Sequence, residues 1–227
     1  PNLELLGNLE AARLPIVSFR VRHGPRYLDH ELVVAMLNDL FGIQARGGCS
    51  CAGPYGHRLL GIDPDRSRAL SEQAGHGYLG IKPGWVRLSF NYFISDRVAD
   101  YLIEAVDLLA THGHRLLGDY RFDPRSGHWR HHWAPADPGL SLDELLEGPA
   151  PAPRLGEGVL AWHLEDARAI LAAAPILIAA VKSESYDPAY SAYIFFVVRI
   201  AEGLLDGLRN KAGDVSASDV GAYELQS

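Results

Sequence analysis

The sequence predicts an α/β protein of the α+β kind, and three observations carry that expectation. Residues 16 to 21, IVSFRV, and 86 to 92, VRLSFNY, alternate apolar and polar side chains with the period of two that a half-buried strand requires. Each is followed by a run whose apolar residues recur at helical spacing, 30 to 42 and 96 to 113. An aromatic-rich stretch, 120 to 133, holds the proline and glycine of a hairpin turn.

Taken in order, the first strand puts Val17, Phe19 and Val21 on one side and Ser18 and Arg20 on the other. Asp29 can cap the helix that follows, in which Val33, Met36, Leu37, Leu40 and Phe41 form the apolar stripe and Gly42 stops the run. RGGCSCAGPYG, residues 46 to 56, is a glycine-rich loop holding both cysteines of the chain. Residues 63 to 84 are mostly polar and end in the turn signal Lys82-Pro83-Gly84. In the second strand Val86, Leu88, Phe90 and Tyr92 face one way, and Arg87, Ser89 and Asn91 present a polar face suited to a ligand. Ser95 and Asp96 open the long helix, with Val98, Leu102, Ala105, Val106 and Leu109 as its stripe and Gly113 at its end. Pro124 and Gly127 mark the hairpin turn.

Residues 1 to 133 are thus expected as one domain. Prolines and glycines interrupt residues 134 to 158, apart from a capping box at Ser141 to Glu144, and predict a linker. Residues 159 to 227 carry two apolar helical patterns ending near Lys211, then a frayed polar tail.

A hydrophobic content of 48% over 227 residues can fill a core. Twenty-eight acids against 21 bases leave a charge of -7, and the bases are scattered along the sequence, so nucleic acid is not an expected partner. No basic segment followed by an apolar run and a cleavage site opens the chain, and the longest apolar run, 169 to 181, is short for a bilayer and carries Pro175. A soluble cytoplasmic protein away from membranes is expected.

Cys49 and Cys51 stand one residue apart, which frames three readings: a metal clip, a redox pair, or one reactive thiol beside a bystander. Zinc would need them together with His57 and with His128, His131 or His132. Structural zinc sites favour two to four residues between paired cysteines, and His131 and His132 fall on opposite sides of a strand, so no metal is expected. A thiol on a glycine-rich loop can approach a bound molecule, with backbone N–H groups favouring the thiolate; the alternative is a small buried residue. Cys49 is expected to pack or to act as a resolving partner. Arg87 offers a planar, permanently charged fork for a carboxylate, its alternative being a surface ion pair.

Together, Arg46-Gly-Gly-Cys-Ser-Cys51-Ala-Gly-Pro54 and Gly84-Trp-Val-Arg87-Leu-Ser89-Phe-Asn-Tyr92 resemble the C-terminal part of class V pyridoxal-phosphate (PLP) enzymes, which include cysteine desulfurases and selenocysteine lyases. Residues 46 to 54 match the pattern arginine, any, glycine, any, any, cysteine, alanine, any, proline of the second desulfurase branch. The resemblance covers roughly residues 14 to 130. It implies the small C-terminal domain of a fold-type I enzyme, an antiparallel sheet covered by helices, with residues 159 to 227 as a helical extension. It puts Cys51 on the family's sulfur-accepting nucleophile, Arg87 on the clamp for the substrate's α-carboxylate, and Arg46 and Asn91 near an amino-acid substrate.

The same resemblance implies PLP as cofactor of the full-length enzyme. The family's cofactor lysine follows a histidine in a preceding large domain, and Lys82, Lys182 and Lys211 have no such context. The chain is therefore expected to be the C-terminal piece of a longer, dimeric aminotransferase or desulfurase-like enzyme, inactive alone and binding no PLP covalently. The alternatives are a non-catalytic α/β binding or scaffold module and a small zinc-binding protein.

Overall fold

Alternation makes IVSFRVRH a strand, β2 (Ile16–His23), and its odd residues supply the floor of the core: Phe19 and Val21 are fully buried and Val17 packs beside them. In the computed structural model, which describes residues 2–49, 53–134, 146 and 156–174, this strand is the centre of a four-stranded sheet. The chain divides into two units, Pro1–Pro175 and Ile176–Ser227, and every described residue lies in the first. The capping box at 141 to 144, most of the 134 to 158 stretch and everything after Ala174 lie outside the described residues.

Every pairing in the sheet is antiparallel. β1 (Leu3–Leu5) sets Glu4 opposite Arg20, β3 (Arg26–Tyr27) sets Tyr27 opposite Arg22, and β4 (Val86–Ser89) sets Arg87 opposite Ser18 and Val86 opposite Phe19. A separate hairpin, β5 (Tyr120–Phe122) with β6 (Trp129–His131), turns through Gly127 at φ 81°. The result is an α+β fold.

Helix α1 (His30–Phe41) begins where Asp29 accepts hydrogen bonds from the N–H groups of Glu31 and Leu32, and ends at Gly42 in the left-handed conformation. Its Leu32, Val33, Met36 and Leu37 are fully buried against the sheet, each contributing about 2 kcal/mol of burial. α4 (Asp96–His112), capped by Ser95, adds Tyr101, Ala105 and Leu109 to the same core. α5 (Val159–Ala173) closes that core from outside through Leu164, Ala167 and Leu171. Both α1 and α4 lie on the face that Phe19, Val21, Val86 and Leu88 present. By the strand period, Ser18, Arg20, Arg22 and Arg87 project from the other face.

Two helices go beyond the sequence reading. α2 (Gly53–Leu60) starts within the glycine-rich segment expected to be loop, and its Gly56 rests on the buried Trp85. α3 (Pro64–Gly75) occupies the polar stretch; Asp63 caps it, Pro64 stands in its first turn, and it buries no residue. Conversely, β4 ends at Ser89. Tyr92 does not share the inner face with Val86: a turn in which the N–H of Ile94 donates to the carbonyl of Asn91 carries it outward, to 97% exposure. Among the described residues no helix is long and apolar enough to cross a membrane.

Candidate functional site

Arg46 is held by the backbone before its side chain is considered. Its N–H donates to the carbonyl of Arg87 at 3.1 Å and its carbonyl accepts from Arg87 N–H at 2.8 Å, an antiparallel bridge along the outer edge of β4. Two residues on, the carbonyl of Gly48 accepts from the N–H of Trp85 at 3.2 Å. The start of the glycine-rich segment is therefore an added edge strand rather than a free loop. Its glycines have a steric cause: Gly48 sits at φ 107°, and a Cβ on Gly84 would lie 2.7 Å from the Gly48 backbone and 2.6 Å from His30 Nε2. Close approach thus requires glycine at position 84, and the positive φ favours it at position 48.

Directly paired residues share a face, so Arg46 joins Arg87 on the side opposite the helices. Arg20 and Arg22 lie on that face too, with Glu4 as the carboxylate among them. Arg20 Nη2 donates to both Glu4 oxygens at 3.0 Å, Arg22 stands 3.7 Å from Glu4, and the Arg20 guanidinium stacks 3.8 Å from the centre of the Tyr27 ring. Burial raises the Glu4 pKa, but the Tyr27 hydroxyl and the two arginines outweigh it and hold the carboxyl below its ordinary value. Strand register thus gathers four arginines that are scattered along the sequence, Arg20, Arg22, Arg46 and Arg87, onto one face.

Along the outer edge of β4, where the sheet meets α1, α4 and α5, lies a half-open cavity of about 590 Å³. Phe41, Tyr101, Leu102 and Leu160 form its apolar wall; Gln44, Arg46, Arg87, Ser89 and Asn91 form its polar side, and no acid among the described residues lines it. Three of the four residues singled out in the sequence, Arg46, Arg87 and Asn91, thus border one space. The fourth, Cys51, lies outside the described residues, as do Ser50 and Ala52. Cys49 is exposed, so of its two expected roles it does not pack in the core: the edge pairing that ends at Gly48 leaves it beyond the sheet.

A second cavity, of about 530 Å³, lies between α1 and the hairpin, where Glu31, Asn38, Asp39, His128 and His131 supply polar lining. Nothing in the sequence signals it, because it depends on the hairpin folding back so that Tyr120 donates to Asp39 Oδ2 at 2.9 Å and Trp129 Nε1 to Asp29 Oδ1 at 3.0 Å. Among the described residues no three His, Cys, Asp or Glu side chains stand close enough to hold a metal ion. Lys82, the lysine among them, is exposed on the turn before β4 and lines neither cavity. The described side chains therefore do not fit a covalently held PLP. No protein-family model, curated protein or solved structure matches the chain.

Proposed function

We propose that this chain is the small C-terminal domain of a class V, fold-type I PLP-dependent enzyme, an aminotransferase or cysteine desulfurase-like protein acting on an amino acid. The observation that supports it is the hydrogen-bonded pairing of Arg46 with Arg87, which joins the two motifs of the resemblance, 41 residues apart in sequence, into one ladder beside one cavity. In this reading Arg87 holds the substrate α-carboxylate through a bidentate, charge-assisted pair. Asn91 and Arg46 fix the remaining polar groups of the substrate, and Cys51 is the sulfur acceptor where the substrate is cysteine. PLP and its lysine belong to a preceding domain of the parent enzyme, which works as a dimer.

The test uses that parent. Arg87→Gln is expected to lower kcat/KM for the amino acid about a hundredfold, with Arg87→Lys recovering part of it, since a single ammonium replaces the charge but not the fork. Sulfide release from L-cysteine, measured with Cys51→Ala alongside, separates desulfuration from aminotransfer: release unchanged in the variant removes the thiol from the reaction. An Arg87→Gln enzyme with wild-type kcat/KM would refute the clamp.

A further inference from the structure

Residues in a hydrogen-bonded antiparallel pair carry their side chains on one side of the sheet, about 5 Å apart at the backbone. Arg46 and Arg87 form such a pair, and like charges directly opposite each other weaken a ladder. On the same face the chain answers this problem for its other two guanidinium groups: Glu4 engages Arg20 and lies beside Arg22. No carboxylate among the described residues is paired with Arg46 or Arg87, and the other polar groups that described residues bring to the cavity, on Gln44, Ser89, Asn91 and Tyr101, are neutral. In a chain of net charge -7, two adjacent cations without a carboxylate partner among the described residues, beside a cavity that no described acid lines, are complementary to an anion.

A single carboxylate can fill one guanidinium fork and leaves the second charge unmet. We infer that the Arg46–Arg87 pair is a two-fork site for a small dicarboxylic amino acid, whose α-carboxylate sits on Arg87 and whose second acidic group sits on Arg46. The inference rests on the reading of Arg87 as the carboxylate clamp and adds the substrate class: side chains ending in an acid rather than a neutral or apolar group. Ser89 and Asn91 are left to hydrogen-bond the uncharged parts of the ligand.

The experiment is a binding titration of the 227-residue chain at low ionic strength, following the arginine side-chain N–H resonances by NMR. The ligands are L-aspartate, L-glutamate, L-alanine and inorganic phosphate. The dicarboxylic amino acids are expected to bind about tenfold more tightly than alanine. Arg46→Gln should bring them to the affinity of alanine while leaving alanine within about twofold, and Arg87→Gln should weaken all three amino acids. Thermal melts of each variant check that the sheet remains folded.

Equal binding of alanine and aspartate, with alanine lost in Arg87→Gln, overturns the two-fork site and leaves the carboxylate clamp standing. Phosphate binding as tightly as aspartate reduces the site to a general anion patch and overturns the assignment to amino acids. If no amino acid binds, both the inference and the clamp on which it rests fall; if the dicarboxylates are preferred while the parent turns over every amino acid equally well with Arg87→Gln, the clamp and the enzymatic reading fall, and the assignment of the α-carboxylate to Arg87 falls with them.

Discussion

Tyr120 is buried, and its hydroxyl donates to Asp39 Oδ2 at 2.9 Å across 81 residues of chain. Burial, then the negative charge of Asp39, pushes its pKa far up, so the folded protein keeps a proton that the unfolded chain surrenders above about pH 10. Its stabilising contribution is therefore complete below that pH and declines as the solution becomes more alkaline. Tyr120→Phe should cost about 1 kcal/mol at neutral pH and flatten the alkaline limb of a stability profile measured by urea unfolding. Gly84 makes a sharper residue-level case: Gly84→Ala brings a methyl group against the Gly48 backbone, and a loss of about 2 kcal/mol or more is expected in the same assay. The position of Arg87 was legible, since it declares itself on the polar side of an alternating strand; that Arg46 stands opposite it was not, because a ladder partner is fixed by register, which no local pattern records.

Among the elements, α1 ties the architecture together at its N-terminus. Asp29 Oδ1 accepts from two helix N–H groups and from Trp129 Nε1, so one carboxylate caps the helix and anchors the β5–β6 hairpin. Asp29→Ala should cost about 2 kcal/mol, and Trp129→Phe less; a double-mutant cycle should return a coupling of about 1 kcal/mol, whereas additive losses would show that the hairpin contact carries no energy of its own. Helices α1 and α4 were legible because cap, apolar stripe and stop signal agree in each. α3 had its cap, Asp63-Pro64, but no stripe, since it buries nothing and therefore imposes no hydrophobic period. β1 is three residues long, too short for alternation to be recognised, and exists because Asn2 and Leu6 complete its hydrogen bonding to β2.

At the scale of the whole molecule, β2 meets the segment after α4 through two stacked imidazoles, His23 and His114, with ring centres 4.2 Å apart. Burial lowers both; in His114 the neighbouring His23, Arg115 and His112 add to it and bring the value to about 4. Between that value and the ordinary value of 6.5 the unfolded chain takes up a proton that the folded one refuses, so stability falls as pH drops through this window. His114→Asn should flatten that slope by about 2 kcal/mol, allowing for partial solvent access, as read from urea midpoints across the window; an unchanged slope would show that the pair does not set acid stability. Composition could not reveal such a pair, nor the cationic face, because both arise only when distant segments are brought together. That face has one further consequence. If the proposed two-fork site holds an anion, its charge offsets the repulsion between the two guanidinium groups across the Arg46–Arg87 rung, so the exchange of these two amide protons with solvent should slow on binding and would report occupancy from within the backbone.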